Sequence, residues 1–164
     1  MVASEDESDD MLDFCLKGAQ DDMHTWGHEY LRTLAGQITI TYAKRVEKGE
    51  STDDLSKLVD IIIPHFIDCH EEHEAVDLLM ETENLAKLNH FCNEKNFDRV
   101  CRYLCACSQY AADTDEMSLS YRTAFNIYKT QRQYCDAMRV AQKMNNMELI
   151  KEIMEACPDD LVQK

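Results

Sequence analysis

His65, Cys69 and His73, with His70 between them and His90 and Cys92 further along, are the side chains of this sequence best equipped for chemistry. Imidazole nitrogen and thiolate sulfur are ligands that zinc selects, so a zinc-binding domain using His65, Cys69 and His73 is one reading. The spacing weighs against it. His70-Glu71-Glu72-His73 sets its imidazoles three residues apart. The H-E-x-x-H pattern sets them one helical turn apart, with a Glu between to act as base. No C-x-x-C pair occurs. The plainer reading is an exposed helix start whose acids offset the positive end of the helix dipole. No metal and no cofactor is expected.

Cys101 and Cys105 lie four apart on one helix face, a spacing that suits two buried residues as well as two ligands. Free Cys is among the most buried residue types, so core packing is expected. A nucleophilic thiolate needs a nearby base and an electropositive setting, which a chain of net charge −15 does not advertise. No G-x-G-x-x-G or G-x-x-x-x-G-K phosphate cradle occurs, and no G-x-S-x-G elbow. Carboxylate pairs are plentiful, but on helix faces they serve solvation. The sequence offers no catalytic candidate, and the chain reads as no enzyme.

Binding has one candidate stretch, residues 71–81, an acidic lead into an apolar helical stripe. Glu71, Glu72, Glu74, Val76, Asp77, Met80 and Glu81 are its candidate protein-binding residues. It resembles helical ubiquitin-interacting motifs, in which acids meet a basic rim and the stripe meets ubiquitin's apolar patch, but lacks their later Ala and Ser. The alternative is that Leu78 and Leu79 face this domain's own core.

The elements that must position these groups read as helices throughout. A short apolar helix over 11–16 stops at Gly18. A second, capped by Asp21 or Asp22, runs to about Val46 with Trp26, Tyr30, Leu34, Ile38 and Tyr42 four apart. Gly27 and Gly36 inside it cost about 1 kcal/mol each against Ala, which predicts close helix contact at both. Ser51 or Thr52 opens a third helix, which Pro64 should kink or end. A fourth starts near Glu71 and is broken by Asn84, and a fifth follows with Leu85, Leu88, Phe91 and Cys92. Asn96 caps a sixth over 97–110, carrying Val100, Cys101, Leu104, Cys105 and Cys107 inward. A seventh begins within 113–116, an eighth spans 134–144, and a ninth spans 146–157 before Pro158. No stretch alternates at period two for long enough to be a strand. An echo links Glu74-Ala75, Asn84-Leu85 and Cys92 to Asp136-Ala137, Asn146-Met147 and Cys157, as helical hairpins stacked side by side would produce. The expected fold is all-α: eight or nine helices in stacked antiparallel hairpins, solenoid-like.

Size and composition agree. A chain of 164 residues is close to one domain and long enough for a core without staples. Four Gly and two Pro are few, which excludes collagen-like, low-complexity and hairpin-rich β architectures. Residues 1–10 are expected as a disordered acidic leader and 11–164 as a single helical domain. Up to Asp22 eight acids face one base, giving −7, and the remainder carries −8. Such a surface repels phosphate backbones and anionic membranes, and it is compatible with a basic protein partner. The start lacks a secretory signal and no apolar run reaches a membrane span. The eight cysteines are therefore expected reduced.

Thr25-Trp26-Gly27-His28-Glu29-Tyr30-Leu31-Arg32 and Leu34-Ala35-Gly36 resemble the family of large non-ATPase base subunits of the proteasome regulatory particle. The likeness continues through His73-Glu74-Ala75, Asp77-Leu78-Leu79-Met80-Glu81, Val100-Cys101, Tyr103-Leu104, Ala137-Met138-Arg139-Val140-Ala141 and Asn146-Met147-Glu148-Leu149 to Val162-Gln163-Lys164. Residues 47–52 and 110–116 match it poorly. Family members are far longer, so the resemblance implies a piece of their amino-terminal helical region, ahead of the toroidal repeats that carry the best-known receptor sites. It implies a noncatalytic scaffold in a cytoplasmic and nuclear complex. The partners it implies are other regulatory-particle subunits, including the ATPase ring, and ubiquitin or ubiquitin-like domains in an auxiliary role. A purely structural rod with no ligand of its own is the alternative.

Overall fold

The computed structural model describes residues 6–18, 27–111 and 113–157, with backbone alone for 6–10. The expected caps at Asp21 or Asp22, the stripe residue Trp26 and the stop at Pro158 lie outside these residues. Among the described residues the structure is helical and contains no strand. In chain order the helices are α1 (Asp6–Lys17), α2 (His28–Lys48), α3 (Asp53–Asp68), α4 (Glu72–Glu81), α5 (Leu88–Phe91), α6 (Phe97–Cys107), α7 (Thr114–Thr130), α8 (Tyr134–Lys143) and α9 (Met147–Ala156), with a 3₁₀ turn at Leu85–Lys87. None of them is long and apolar enough to cross a membrane. α1 takes in the last residues of the acidic leader, starting at Asp6. The chain divides after Asn84 into two compact units.

In the first unit α2 packs against α1, α3 and α4, and α3 packs against α4. Leu31, Leu34, Ala35, Ile38 and Tyr42 supply the buried stripe of α2. Leu55, Leu58, Val59, Ile62, Ile63 and Phe66 supply that of α3. The spacing of three and four residues puts each set on one helix face, and burying each large side chain contributes about 1.5–3 kcal/mol. One expectation fails here, and another in one of its two forms. Gly27 precedes α2 with φ at 88°, and a Cβ at Gly27 or Gly36 would meet nothing within 4 Å among the described residues. Gly27 thus supplies the positive φ of the turn into α2, and among the described residues no close helix contact explains Gly36. Pro64 does not end α3, which runs on to Asp68. Four residues beyond a proline need only one lost amide bond, and Ile63 and Phe66 stay fully buried on either side.

In the second unit α6 packs on α7, α7 on α8, and α8 on α9, while α5 and the 3₁₀ turn lie against α7. Val100, Cys101, Leu104, Ala124, Phe125, Ile127, Ala137, Ala141, Leu149 and Ile153 form its core. Cys105 and Cys107, expected inside, are only half-buried. Two helix starts are capped by side chains: Asp113 Oδ1 accepts from the Asp115 amide at 3.3 Å, and Asn146 Oδ1 from the Glu148 and Leu149 amides at 3.0 and 3.3 Å. Asn96 does not cap α6. Its Oδ1 accepts from the Asn93 amide at 2.7 Å and its Nδ2 donates to the Phe91 carbonyl, so this buried side chain stitches the preceding turn.

The echo proves to be a repeat of backbone geometry. α4 and α8 each span ten residues, with Ala75 and Ala137 fully buried at the fourth position. Among the described residues the non-glycine residues in the left-handed region are His70 and Glu83 in one unit and Arg132 and Asn145 in the other, so that His70 matches Arg132, and Glu83 matches Asn145, at the same offset of 62 positions. The bonds that close these turns correspond as well. Glu71 N donates to the Phe66 carbonyl at 2.8 Å as Gln133 N does to Tyr128, and Asn84 N reaches Leu79 as Asn146 N reaches Ala141.

Candidate functional site

α4 starts where α3 has just ended, across the turn through His70, and its two faces have different fates. Ala75, Val76, Leu78 and Leu79 are buried, so the stripe faces the unit's own core. Val76 is 0 % exposed and Glu72 only 6 %, and neither is offered to a partner. Helical periodicity forces this: a stripe broad enough to include Leu79 and Ala75 sweeps in Val76 and Glu72. Glu71 Oε2 lies 2.8 Å from His28 Nε2, and Glu74 Oε1 2.6 Å from Arg32 Nη2. Glu74 thus ties α4 to α2, and Glu71, just before α4, sits against the first residue of α2, before any partner arrives. Asp77 and Met80 are half-buried and Glu81 is exposed, so the candidate residues do not share one open face.

The imidazole and thiol groups are sorted differently from the expectation. His65, in the last turn of α3, and Cys69, just after it, are brought together, with Sγ 3.6 Å from Nε2. His73 is not among them; it is exposed and lies 3.7 Å from Glu74. His70 is exposed at its left-handed turn, and His90 and Cys92 belong to the second unit. The third member is His28, the first residue of α2. One ligand atom from each of His28, His65 and Cys69 lies within 4.8 Å of the others. The His28 and His65 rings stack with centroids 6.1 Å apart, and Phe66 meets His28 edge-on at 6.1 Å. No sequence spacing links His28 to the other two, because the packing of α2 on α3 brings them together.

Elsewhere the geometry speaks for structure. Burial holds the Cys101 thiol far above the ordinary thiol range, neighbouring thiols and acids add to it, and its Sγ lies 3.8 Å from the Ala124 carbonyl. Burial raises Cys105 as well. Neither thiol is poised to become a thiolate, which agrees with the core reading. Arg45 Nη1 donates to both carboxylate oxygens of Asp54, at 2.6 and 2.8 Å, joining the end of α2 to the start of α3. Partial burial alone would raise the Asp54 carboxyl, but Arg45 and the nearby backbone amides outweigh it and hold it below the usual carboxylate range.

In the second unit an apolar groove of about 510 Å³ opens along α8 and α9. Tyr134, Cys135, Met138, Ile153, Met154 and Cys157 are among its lining residues. Met154 is 56 % exposed there; Met147, the first residue of α9 and outside the groove lining, is exposed too. The sequence reading treated α9 only as a helix; the signal available was its apolar residues on more than one face.

The profile of the RPN1 N-terminal domain family matches residues 1–164. The chain is 39 % identical over 154 residues to the 26S proteasome non-ATPase regulatory subunit 2 of Dictyostelium discoideum, covering 94 % of this chain and 17 % of that protein. It is 36 % identical to the 26S proteasome non-ATPase regulatory subunit 2 homolog A of Arabidopsis thaliana, over all of this chain and 18 % of the plant protein. The 26S proteasome regulatory subunit rpn1 of Schizosaccharomyces pombe is also 36 % identical, again over the whole chain and 18 % of its own length. The chain therefore spans less than a fifth of the length of these relatives.

Proposed function

The chain belongs to the RPN1 N-terminal domain family, and on that footing we propose that it is a noncatalytic helical scaffold segment of the proteasome regulatory particle in the cytoplasm and nucleus. Its relatives are named as regulatory subunits of the 26S proteasome. The observation that carries the proposal is the apolar groove along α8 and α9, lined in part by Met138 and Met154, where Met154 stands in solvent although neighbouring stripe residues are buried. Exposed apolar surface of this kind marks a protein contact. Adaptable thioether side chains suit such a surface. The partners proposed are neighbouring subunits of the particle, the ATPase ring among them. A photo-crosslinking residue placed at Met154 in purified regulatory particle tests this. A crosslink to an identified subunit, or to another part of the same chain, is expected; no crosslink in the assembled particle overturns the groove as a contact.

The finer reading, weak docking of ubiquitin or a ubiquitin-like domain on α4, keeps narrower support. The net charge of −15 suits a basic partner. With Val76 and Glu72 buried, Glu74 paired to Arg32 and Glu71 set against His28, the contact would fall to Asp77, Met80 and Glu81. Titrating isotope-labelled protein with ubiquitin chains should move the amide signals of Met80 and Glu81. No change at high excess removes this reading and leaves the structural one.

A further inference from the structure

We propose that His28, His65 and Cys69 form a zinc-binding site at the junction of α2, α3 and the turn into α4, with Glu71 orienting His28. Ligands at about 2.0–2.3 Å around a tetrahedral zinc ion lie about 3.3–3.6 Å from one another. His65 Nε2 and Cys69 Sγ already stand 3.6 Å apart, and all three donors fall within 4.8 Å. The three groups are two imidazoles and a thiol, a donor set that zinc prefers over calcium or magnesium.

Glu71 has a separate role. Its Oε2 is 2.8 Å from His28 Nε2, closer than two ligands of one ion and equal to a hydrogen-bonded pair. A carboxylate behind a ligating imidazole fixes the ring and raises its basicity. As the side chains stand, the pair is not aligned for a hydrogen bond, and His28 Nδ1 is buried with no partner among the described residues. In the proposed site Nδ1 would take the zinc ion, leaving Nε2–H for Glu71 to accept.

The second unit supplies an internal control. Its equivalent turn has the same backbone bonds and a left-handed residue at Arg132, but carries Ile127, Gln131 and Gln133 where the first unit has His65, Cys69 and Glu71. The turn itself therefore requires none of those groups. On binding, the Cys69 thiol proton leaves to solvent, both imidazoles coordinate in their neutral form, and water takes the fourth position.

The test is titration of the chelator-treated, intact chain with Zn²⁺ by calorimetry and with Co²⁺ by absorption. One ion per chain and a thiolate-to-cobalt charge-transfer band are expected. Cys69→Ser should abolish that band, and Cys69→Ser, His65→Gln and His28→Gln should each weaken Zn²⁺ binding at least tenfold. His73→Gln and Cys135→Ser should leave it unchanged, with circular dichroism confirming the fold of each variant. Cys69 is exposed, so its serine variant should remain folded and decisive even where His28→Gln does not. Absence of stoichiometric zinc, a cobalt complex without the thiolate band, or binding that survives Cys69→Ser would overturn the proposal.

Discussion

Burial decides which of the eight cysteines matter. Cys69 and Cys135 are exposed, whereas Cys15 and Cys101 are buried and burial lifts the Cys101 thiol further from ionisation. A short alkylation pulse at neutral pH, read by mass spectrometry, should label Cys69 and Cys135 first and reach Cys101 only on unfolding. Asp54 makes the other residue-scale prediction. Its carboxyl is depressed in the folded chain, so the folded state gains from its charge above the unfolded pKa, near 4, and loses that gain as pH falls through the lower folded value. Asp54→Asn should lower stability at neutral pH by about 0.5–1 kcal/mol, discounted because the carboxylate is 44 % exposed. In thermal melts the gap between variant and parent should close below about pH 4. At this scale the sequence is least legible: Cys101 as core could be read from its helix face, but His28 could not be joined to His65 and Cys69. That juxtaposition exists only once α2 lies on α3.

At the scale of elements the helices were largely legible, because each carries its own stripe at three- and four-residue spacing. What misled was the meaning of single residues inside them. Gly36 reads as a contact point, yet among the described residues a Cβ there would meet nothing within 4 Å, so Gly36→Ala should stabilise the chain by about 0.5–1 kcal/mol in denaturant unfolding. Pro64 reads as a residue that kinks or ends its helix, and α3 runs past it to Asp68. The repeat was visible only as an echo for a definite reason. Its defining positions are left-handed backbone conformations held by His70, Glu83, Arg132 and Asn145, and no glycine marks them. A non-glycine residue there costs about 1 kcal/mol or more. Glu83, exposed after α4, is the place to test it: Glu83→Gly should raise stability by about 0.5 kcal/mol, the relief outweighing the added freedom of the unfolded chain. A destabilised variant would mean that the Glu83 side chain, not its backbone, holds the turn.

Across the whole molecule two kinds of surface compete to define partners, and they respond to salt in opposite ways. The net charge of −15 gives any basic partner an attraction that fades as ionic strength rises. The groove along α8 and α9 is apolar, and burying its methionines depends on displaced water, which salt does not screen. The sequence showed the first surface outright, since charge is a sum over residues, and hid the second, since an exposed Met and a buried Ile on one helix look alike until α8 is in place. If the groove is the contact that seats this segment, its association with the other subunits should persist at 0.5 M salt, where charge pairing is screened within about 4–5 Å. Met154→Asp should then weaken incorporation at least tenfold while leaving circular dichroism and thermal midpoint near the parent values, because Met154 is already 56 % exposed. Incorporation that fails in high salt but tolerates Met154→Asp would reassign the contact to the acidic surface, and with it the molecule's way of choosing neighbours.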